Sequence, residues 1–366
     1  MAIKSLTLVS FRNHKKQVFR FQDGLTVIWG ENGSGKTAAL EAIHFLSFGS
    51  SFRTRIHRDL IRNSDGALSI RGEFVSKNYS DSITIYVEKK SGQKIKLNDK
   101  QLSGRKELLG RNNVVVLSPE EQPVTKGAPA ERRQFFDKMF SITSKSYMET
   151  LQSYSRIIKQ RASILFQLKE NRRLIGELES WDEQLVNTGQ KLWSFRFDLI
   201  DDFKEHLIKI LNQYDGGIKL DLKYTIDVPT VEAYQSKIQE TQSADITRGR
   251  TSYGPHRDDI SLSWNGRDLR RLGSQGEHKL SLVLLKLAEM EFVRNKTGTH
   301  PTLLLDDLFA KLDLERSKKI VSLLQGLEFD SGRPVQTIVT TTDILNVEKS
   351  GLLTKEKETK TYHLER

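Results

Sequence analysis

The feature that most constrains the fold of this chain is an octapeptide near its start, Gly30-Glu31-Asn32-Gly33-Ser34-Gly35-Lys36-Thr37. It fits the phosphate-loop pattern G-x-x-x-x-G-K-[ST] at every specified position. Residues 25–29 before it are an apolar run typical of a buried strand, and residues 38–46 after it have the periodicity of a helix. A glycine-rich turn that binds nothing is the plain alternative, but strand, motif and helix follow one another in the required order. We therefore expect a phosphate loop.

The residue types in this loop are suited to a nucleoside triphosphate. Glycines allow successive backbone N–H groups to close around an anion, and the helix that follows presents its positive dipole end to the same anion. Lys36 is expected to reach the β and γ phosphates, and the Thr37 hydroxyl to ligate Mg²⁺. All eight residues of the motif are therefore candidate contacts of bound ATP.

Composition excludes several classes of protein. The chain has no cysteine, which rules out disulfides, thiolate metal sites and cysteine catalysis, and favours a cytoplasmic location. No apolar run approaches the roughly 18 residues of a membrane span. With 366 residues, 29% of them charged and 37% hydrophobic, the sequence predicts a large folded core and room for two domains.

The positive charge is unevenly distributed. The net charge is +11 overall, with +10 in residues 1–118, −2 in residues 119–246 and +3 in residues 247–366. A basic field of this kind attracts polyanions, and nucleic acid is the expected partner. The alternative is a solvated basic face without a partner.

Much of the positive charge falls on predicted strands and loops of the N-terminal third. Strands are predicted at residues 67–75, 82–88, 93–98 and 113–117, with a turn at residues 89–92. In the third strand Ile95 and Leu97 alternate with Lys94 and Lys96, so the lysines are expected to point away from the core. The candidate DNA-phosphate contacts are Arg53, Arg55, Lys89, Lys90, Lys94, Lys96, Lys100, Arg105 and Lys106. An ordinary edge strand protected by lysines is the alternative.

The proline content and the periodicity of the sequence change after residue 118. Pro119, Pro123 and Pro129 predict a linker, and about a hundred residues with helical periodicity follow. The last long helix, with an apolar stripe between Leu185 and Leu211, is expected to be about 45 Å long at most. We therefore predict that residues 119–246 form a helical lobe inserted between residues 1–118 and 247–366.

Three later segments carry further chemistry. Residues 248–259 form a predicted loop dense in glycine and charged side chains, either functional or a surface turn with local salt bridges. Ser274 lies between glycines before an amphipathic helix, which is a second candidate anion site. An apolar strand at residues 301–305 ends in Asp306 and Asp307. Asp306 is expected to hold Mg²⁺ through water and Asp307 to polarise the attacking water.

The order of these motifs resembles the ABC-type ATPase heads of the SMC and Rad50 class, and within that class the RecF family of bacterial recombination mediators. The resemblance covers nearly the whole chain. It is carried by residues 11–13, the phosphate loop, 51–53, 118–120, Pro129 with Arg132 and Arg133, 254–259, 274–277, 305–307 and 312–313. The fold class implied is α/β, an ABC-type P-loop ATPase lobe with an inserted, mainly helical second lobe.

The resemblance also implies a composite active site. In this class the signature serine of one protomer reaches the γ-phosphate held by the phosphate loop of the other, and Ser274, with Gln275 and Gly276, matches that signature. ATP is then expected to close a homodimer. The family is understood to bind duplex DNA and gapped duplex/single-strand junctions, and to help load the recombinase RecA together with RecR and RecO.

Departures from the general ABC pattern lower the expected turnover. Asp307 replaces the usual catalytic Glu, the switch His is absent with Thr341 or Thr342 near its place, and no typical glutamine loop is found. Glu121 stands where the family often has Asp. Because every 1.4 kcal/mol of lost transition-state stabilisation costs about tenfold in rate, we expect a weak, DNA-stimulated ATPase that uses ATP mainly as a dimerisation switch.

Two other classes of function remain compatible with the motifs. A transporter ATPase subunit would explain the nucleotide motifs, but it leaves the basic N-terminal hairpin unexplained. A nucleotide-gated scaffold that contacts only proteins would make the basic surface incidental.

Overall fold

The computed structural model describes residues 2–76, 79–90, 92–168, 175–308, 314–326, 335–353 and 359–365. The chain forms two compact units. The first contains Met1–Gln122, Asn212–Asp215 and Leu282–Arg366, and the second contains Pro123–Leu211 and Gly216–Ser281. The second unit thus extends beyond residue 246, because strand 260–264 pairs with strand 220–224. The division at 118 and 246 remains a prediction about functional lobes.

The strands of the described residues are numbered in chain order. They are β1 (Ala2–Phe11), β2 (His14–Arg20), β3 (Leu25–Gly30), β4 (Ala67–Val75), β5 (Ser80–Glu88), β6 (Gly92–Leu97), β7 (Lys100–Gln101), β8 (Val114–Leu117), β9 (Leu220–Tyr224), β10 (Ile260–Trp264), β11 (Arg267–Asp268), β12 (Thr302–Asp306), β13 (Thr337–Thr341) and β14 (Lys360–Leu364).

The helices are numbered in the same way. They are α1 (Lys36–Phe48), α2 (Pro123–Lys126), α3 (Pro129–Thr143), α4 (Lys145–Gln167), α5 (Ile175–Tyr214), α6 (Val231–Arg248), α7 (Leu269–Leu272), α8 (Gln275–Thr297), α9 (Leu314–Gly326) and α10 (Ile344–Lys349). Short 3-10 turns lie at His57–Leu60, Arg105–Leu108 and Pro119–Glu121. Among the described helices, none combines the length and apolar character needed to cross a bilayer.

A parallel sheet forms the base of the first unit. Its order is β14-β3-β13-β12-β8, and β3, β12 and β13 are almost entirely buried, as expected for strands covered on both faces. Since parallel strands end at the same edge, the loop after β3 and the residues after β12 and β13 meet there. Strand β14 was not predicted from the sequence.

A second, antiparallel sheet belongs to the same unit, with the order β2-β1-β4-β5-β6-β7. Helix α1 packs against strands of both sheets, and every residue of it except Thr37 is buried. Its apolar residues surround the whole helix, which is the pattern of a helix enclosed in a core. The first turn of α1 is thereby fixed at the edge where the parallel strands end.

The second unit is built from helices with a small sheet of order β11-β10-β9. The predicted proline linker is wrong in part: Pro119, Pro123 and Pro129 each begin a short or long helix. Proline suits this position because the first helical N–H needs no partner. The predicted length of the last helix is also wrong. Helix α5 has 40 residues, or about 60 Å, because the helix continues N-terminally beyond the apolar stripe that the sequence showed.

Candidate functional site

The phosphate loop adopts a conformation that requires its glycines. Gly30, Gly33 and Gly35 have φ values of +147°, +85° and +97°, a region that side chains disfavour. At Gly35 an added Cβ would lie 2.4 Å from His14 Nε2, and at Gly30 it would lie 2.1 Å from the Leu364 carbonyl oxygen. The loop is therefore packed too closely against its neighbours for any other residue at these two positions.

The Lys36 side chain lies inside this loop. Its ammonium group donates hydrogen bonds to the carbonyl oxygens of Gly30 and Glu31, both at 2.7 Å. Burial lowers the pKa of Lys36, and the carboxylates of Asp307 and Asp306 oppose that shift. The amine is thus held at the centre of the loop, close to two acids, in a position suited to a phosphate group.

Thr37 and Asp306 meet at the edge of the parallel sheet. The Thr37 hydroxyl donates to Asp306 Oδ1 at 2.8 Å, and the Thr340 hydroxyl donates to the same oxygen at 2.6 Å. A hydroxyl and a carboxylate are oxygen donors of the kind that Mg²⁺ prefers. The residues present therefore fit a magnesium ion held by Thr37 and Asp306 together with the phosphates it accompanies.

Asp307 occupies an unusual backbone conformation at the end of β12. Its φ is +50°, and its N–H donates to the Thr340 carbonyl oxygen at 3.1 Å. An L-residue in this region carries roughly 1–2 kcal/mol of strain. Strain of this kind accumulates at functional sites, and Asp307 lines the same cavity as Lys36.

Thr341 and Thr342, the two candidates for the place of the missing switch His, have different surroundings in the structure. The Thr341 hydroxyl donates to the Asp343 carbonyl oxygen at 2.9 Å, so Thr341 serves the turn that starts helix α10. Thr342 instead lines the cavity, as does Thr340. Of the two candidates named from the sequence, Thr342 is the one in contact with the cavity.

The cavity has a volume of about 850 Å³, within the range of small-molecule sites. One wall is the phosphate loop with Asp306 and Asp307, and another is the segment 59–64, which the sequence did not identify. Arg12, Arg53 and Pro119 complete it. A glycine cradle, an enclosed lysine and this volume fit a nucleoside triphosphate.

A buried carboxylate connects several of these wall residues. Glu41 on α1 is fully buried and forms a bidentate salt bridge with Arg12, at 2.6 and 2.8 Å. Arg53 lies 3.8 Å from Glu41 and 3.5 Å from Glu120. Sequence reasoning assigned no role to Glu41, since an acid within an apolar helix gives no signal of its partner.

The loop after β8 makes an ion pair deeper in the first unit. Glu121 lies 2.8 Å from the Lys286 ammonium, which is also 3.0 Å from Glu289. Lys286 is buried, and these two carboxylates raise its pKa against the effect of burial. Glu121 therefore has a structural partner in the described residues, and we assign it no contact with nucleotide.

The signature segment lies in the second unit. The Ser274 N–H donates to Glu277 Oε2 at 2.7 Å, and the Glu277 N–H donates to Ser274 Oγ at 3.2 Å. This reciprocal pair is a capping box, and the bond from Ser274 lowers the pKa of Glu277. Gln275 and Gly276 form the first residues of helix α8. Ser274 is thus held at the N-terminus of a 23-residue helix.

The predicted DNA contacts fall on more than one surface of the first unit. Ile95 is buried, while Lys94 and Lys96 point to the opposite, outer face of the antiparallel sheet. Lys96 lies over the ring of Tyr86, at 5.8 Å from its centroid. Lys89 and Lys90 are exposed in the turn between β5 and β6. These four lysines form one surface, which we call the hairpin surface.

The other predicted basic residues lie elsewhere. The Arg105 side chain packs beside Gly49, at the end of α1 and on the buried side of β6, and its charge contributes to the lowered pKa of His57. Lys100 in β7 pairs with Leu97 in β6, so these two side chains lie on one face of the sheet and Lys96 lies on the other. Arg53 borders the cavity, and Arg55 and Lys106 are exposed in neighbouring loops. The predicted patch is therefore divided between both sides of the sheet.

The charged loop at 248–259 is not a surface turn. Asp258 is buried and accepts hydrogen bonds from Trp193 Nε1 and, at 2.7 Å, from the Tyr224 hydroxyl. Asp259 makes a bidentate pair with Arg132 at 2.7 and 2.8 Å. These bonds connect strand, helix and loop inside the second unit, so the two acids of this segment are explained by buried pairing.

His256 belongs to the same loop and is held in its neutral form. Burial lowers its pKa to about 4. Its Nε2 lies 3.1 Å from the Thr251 carbonyl oxygen and its Nδ1 2.7 Å from the Tyr154 hydroxyl. A carbonyl can only accept, so Nε2 carries the hydrogen and Nδ1 accepts from Tyr154.

The fold and the site define a P-loop ATPase head of the ABC type. A family model described as the RecF/RecN/SMC N-terminal domain matches residues 2–361. The SMC head of Pyrococcus furiosus superposes with a TM-score of 0.54 over 95% of this chain and 91% of its own, at 19% identity, which supports the fold alone.

More similar proteins identify the family within that class. The DNA replication and repair protein RecF of Halothermothrix orenii is 33% identical over 361 residues, covering 95% of this chain and 94% of its own length. RecF of Bacillus thuringiensis is 32% identical over 375 residues, covering 100% and 97%. A solved structure of the recombination mediator RecF with ATP, of the RecFOR pathway, superposes with a TM-score of 0.85 at 30% identity, covering 97% and 93%. The chain belongs to the RecF family.

The predicted fold class is thereby confirmed. Part of one motif, the segment 310–313 that follows the two acids, lies outside the described residues.

Proposed function

We propose that this protein is an ATP-dependent DNA-binding protein of recombinational repair and replication, in which ATP closes a homodimer. One observation carries the proposal: Lys36, Thr37 and Asp306 converge on one cavity of nucleotide size in a chain of the RecF family. A RecF relative solved with ATP supports the choice of nucleotide. Thr37 and Asp306 would hold a magnesium ion, which would neutralise part of the phosphate charge.

The dimer is proposed from the signature segment. Ser274, Gln275 and Gly276 form the N-terminus of helix α8, and helix N-termini favour negative charge. The capping box leaves this end ordered before any nucleotide arrives. We assign these residues to the γ-phosphate bound by a second copy of the chain, as the family resemblance implies.

Slow hydrolysis is proposed from the second acid. Asp307 lines the cavity and is the candidate for polarising the attacking water, with Asp306 beside it. The Asp307 side chain is one methylene shorter than that of the usual Glu, and its backbone has a strained φ. A shorter side chain places the carboxylate less favourably for activating the attacking water. ATP binding, rather than turnover, is therefore proposed as the signal, with DNA stimulating the slow step.

DNA is proposed to bind through the basic residues named from the sequence. The hairpin surface carries Lys89, Lys90, Lys94 and Lys96. The other candidate contacts, Arg53, Arg55, Lys100, Arg105 and Lys106, lie outside this surface. Cations at these positions contact phosphates without reading sequence, which suits duplex and gapped DNA alike. RecR, with RecO, is the proposed protein partner, and the cytoplasm the proposed location.

The proposal is tested by binding a gapped duplex at two salt concentrations, with and without Mg-ATP, while light scattering records the mass. We expect ATP-dependent binding that weakens steeply with salt, and a doubled mass. Lys36→Met is expected to abolish the nucleotide-dependent dimer. A wild-type protein that remains monomeric with saturating Mg-ATP and DNA contradicts the proposal, and dimerisation without DNA binding favours the protein-only scaffold.

A further inference from the structure

Glu41 is a fully buried acid in the middle of helix α1. Its partners Arg12 and Arg53 line the same cavity as the phosphate loop. An isolated buried carboxylate costs several kcal/mol or more, so it persists only where paired. Helix packing alone would be satisfied by an apolar residue at this position. An acid at this position is therefore explained by the groups that it binds.

The principal partner of Glu41 is Arg12 in the turn between β1 and β2. Arg12 Nη2 lies 2.6 Å from Glu41 Oε1 and Arg12 Nε lies 2.8 Å from Oε2, which is a bidentate pairing. Arg12 Nη1 also donates to the Asp59 carbonyl oxygen at 3.1 Å. The Ser51 hydroxyl donates to Oε1 as well. Two separate segments of chain thus bind this carboxylate, and Arg12 links it to a third at Asp59.

The turn that Glu41 anchors rests directly on the phosphate loop. Asn13 Nδ2 donates to the Gly33 carbonyl oxygen at 2.9 Å, and His14 Nε2 lies 3.1 Å from the Gly35 carbonyl oxygen. Arg12 itself has a φ of +54°, a strained value for an L-residue that its surroundings must maintain. Two carbonyl groups of the phosphate loop are thus held by the turn that Glu41 anchors.

We propose that Glu41 is a positioning residue for nucleotide binding: its carboxylate anchors Arg12 and thereby holds the turn 12–14 against the phosphate loop. The loop is then shaped for the triphosphate before the triphosphate arrives, which lowers the ordering cost of binding. This inference rests on the proposed ATP site and adds a residue to it. Glu41 does not itself contact the nucleotide.

The second arginine is held differently. Arg53 lies 3.8 Å from Glu41 and 3.5 Å from Glu120, and it is more exposed than Arg12. These longer contacts contribute little. We therefore expect the effect of Glu41 to act through Arg12, whereas Glu120, which is 46% exposed, provides a matched control.

The experiment measures binding of a fluorescent ATP analogue to four proteins: wild type, Glu41→Gln, Arg12→Gln and the double variant. Thermal unfolding of each is recorded alongside. Glu41→Gln keeps the shape and removes the charge, and we expect at least about tenfold weaker binding. The double variant is expected to bind no more weakly than either single variant, because coupled residues are not additive. Glu41→Asp is expected to restore part of the affinity, and Glu120→Gln to retain wild-type affinity.

Three results would overturn the proposal: wild-type affinity in Glu41→Gln, additive losses in the double variant, or a loss of affinity that simply follows the melting temperature through all variants. If Glu41→Gln fails to fold, Arg12→Gln and Glu41→Asp still provide the comparison. The readout is nucleotide binding by the purified chain. A wild type that binds the analogue but does not dimerise therefore contradicts the proposed function and leaves this inference intact.

Discussion

The Thr37 hydroxyl donates a hydrogen bond to Asp306 across 2.8 Å, although 269 residues separate them in the chain. Thr37 opens helix α1, and Asp306 ends β12. Strand β13 lies between β3 and β12 in the sheet, and its Thr340 contributes a second hydroxyl to the same carboxylate oxygen. Two hydroxyls and a carboxylate, which are oxygen donors of the kind that Mg²⁺ prefers, thus meet at one point.

Removing the charge of Asp306 should separate magnesium binding from nucleotide binding. In Asp306→Asn the amide keeps the side-chain size, but the anionic ligand is lost. We expect Mg-ATP to bind at least about tenfold more weakly, while ATP in excess EDTA binds as to the wild type. Isothermal titration with and without Mg²⁺ checks this. Equal affinity of variant and wild type for Mg-ATP would remove Asp306 from the metal site.

Blocking the signature serine should prevent dimerisation alone. Ser274→Arg places a large side chain at the start of helix α8, and we expect the monomer to bind ATP normally while light scattering shows no ATP-dependent dimer. Ser274→Ala is the matched control for loss of the cap, which costs about 1 kcal/mol of stability. Loss of ATP binding by the Ser274→Arg monomer would exclude a role across the dimer.

Charge reversal on the two basic surfaces should distinguish their contacts with DNA. The pair Lys94→Glu with Lys96→Glu alters the hairpin surface, and Arg105→Glu with Lys106→Glu alters the other side of the sheet. Each lost phosphate contact is expected to lower the slope of log affinity against log salt by about 1. Fluorescence anisotropy with a gapped duplex gives the slopes. An unchanged slope for either pair would exclude that surface from the DNA site.

The half-buried His256 should make the second unit sensitive to acid. The unfolded chain protonates His256 near pH 6.5, whereas burial keeps the folded residue neutral until its pKa of about 4. Arg257, Arg133 and Arg196 also oppose its protonation. Because the unfolded state binds the extra proton, stability is lost as the pH falls through this window, by roughly 3 kcal/mol.

Urea unfolding at several pH values tests this loss of stability. The slope of unfolding free energy against pH should decrease in His256→Gln, whatever its stability at neutral pH. His363→Asn, which changes a half-exposed histidine of the parallel sheet, is expected to keep the wild-type slope. A His256→Gln variant with an unchanged slope would contradict the neutral state of this residue in the folded protein.

Local signals in the sequence were sufficient for the elements that carry the nucleotide chemistry. A few adjacent residues were enough to predict the phosphate loop, the strand before it and the two acids after an apolar run. Backbone conformation and phosphate chemistry require specific residue types at these positions. The outward orientation of Lys94 and Lys96 was likewise predicted by simple alternation along the strand. The length of α5 and the helices that begin at Pro119, Pro123 and Pro129 were predicted wrongly. Whether a helix starts or continues depends on tertiary packing, which a local sequence pattern does not contain.

The sequence by itself was sufficient to predict a triphosphate site made of a glycine-rich loop, a lysine and an acid at the end of a strand. Only the tertiary structure decided that Thr37 meets Asp306, that Glu41 anchors Arg12, that Thr342 rather than Thr341 faces the cavity, and that the basic residues occupy both sides of a sheet. The physical reason is that these relations join residues distant in the chain through sheet order and burial. A polar side chain shows its type in the sequence, but its partner is fixed only when the strands and helices are packed.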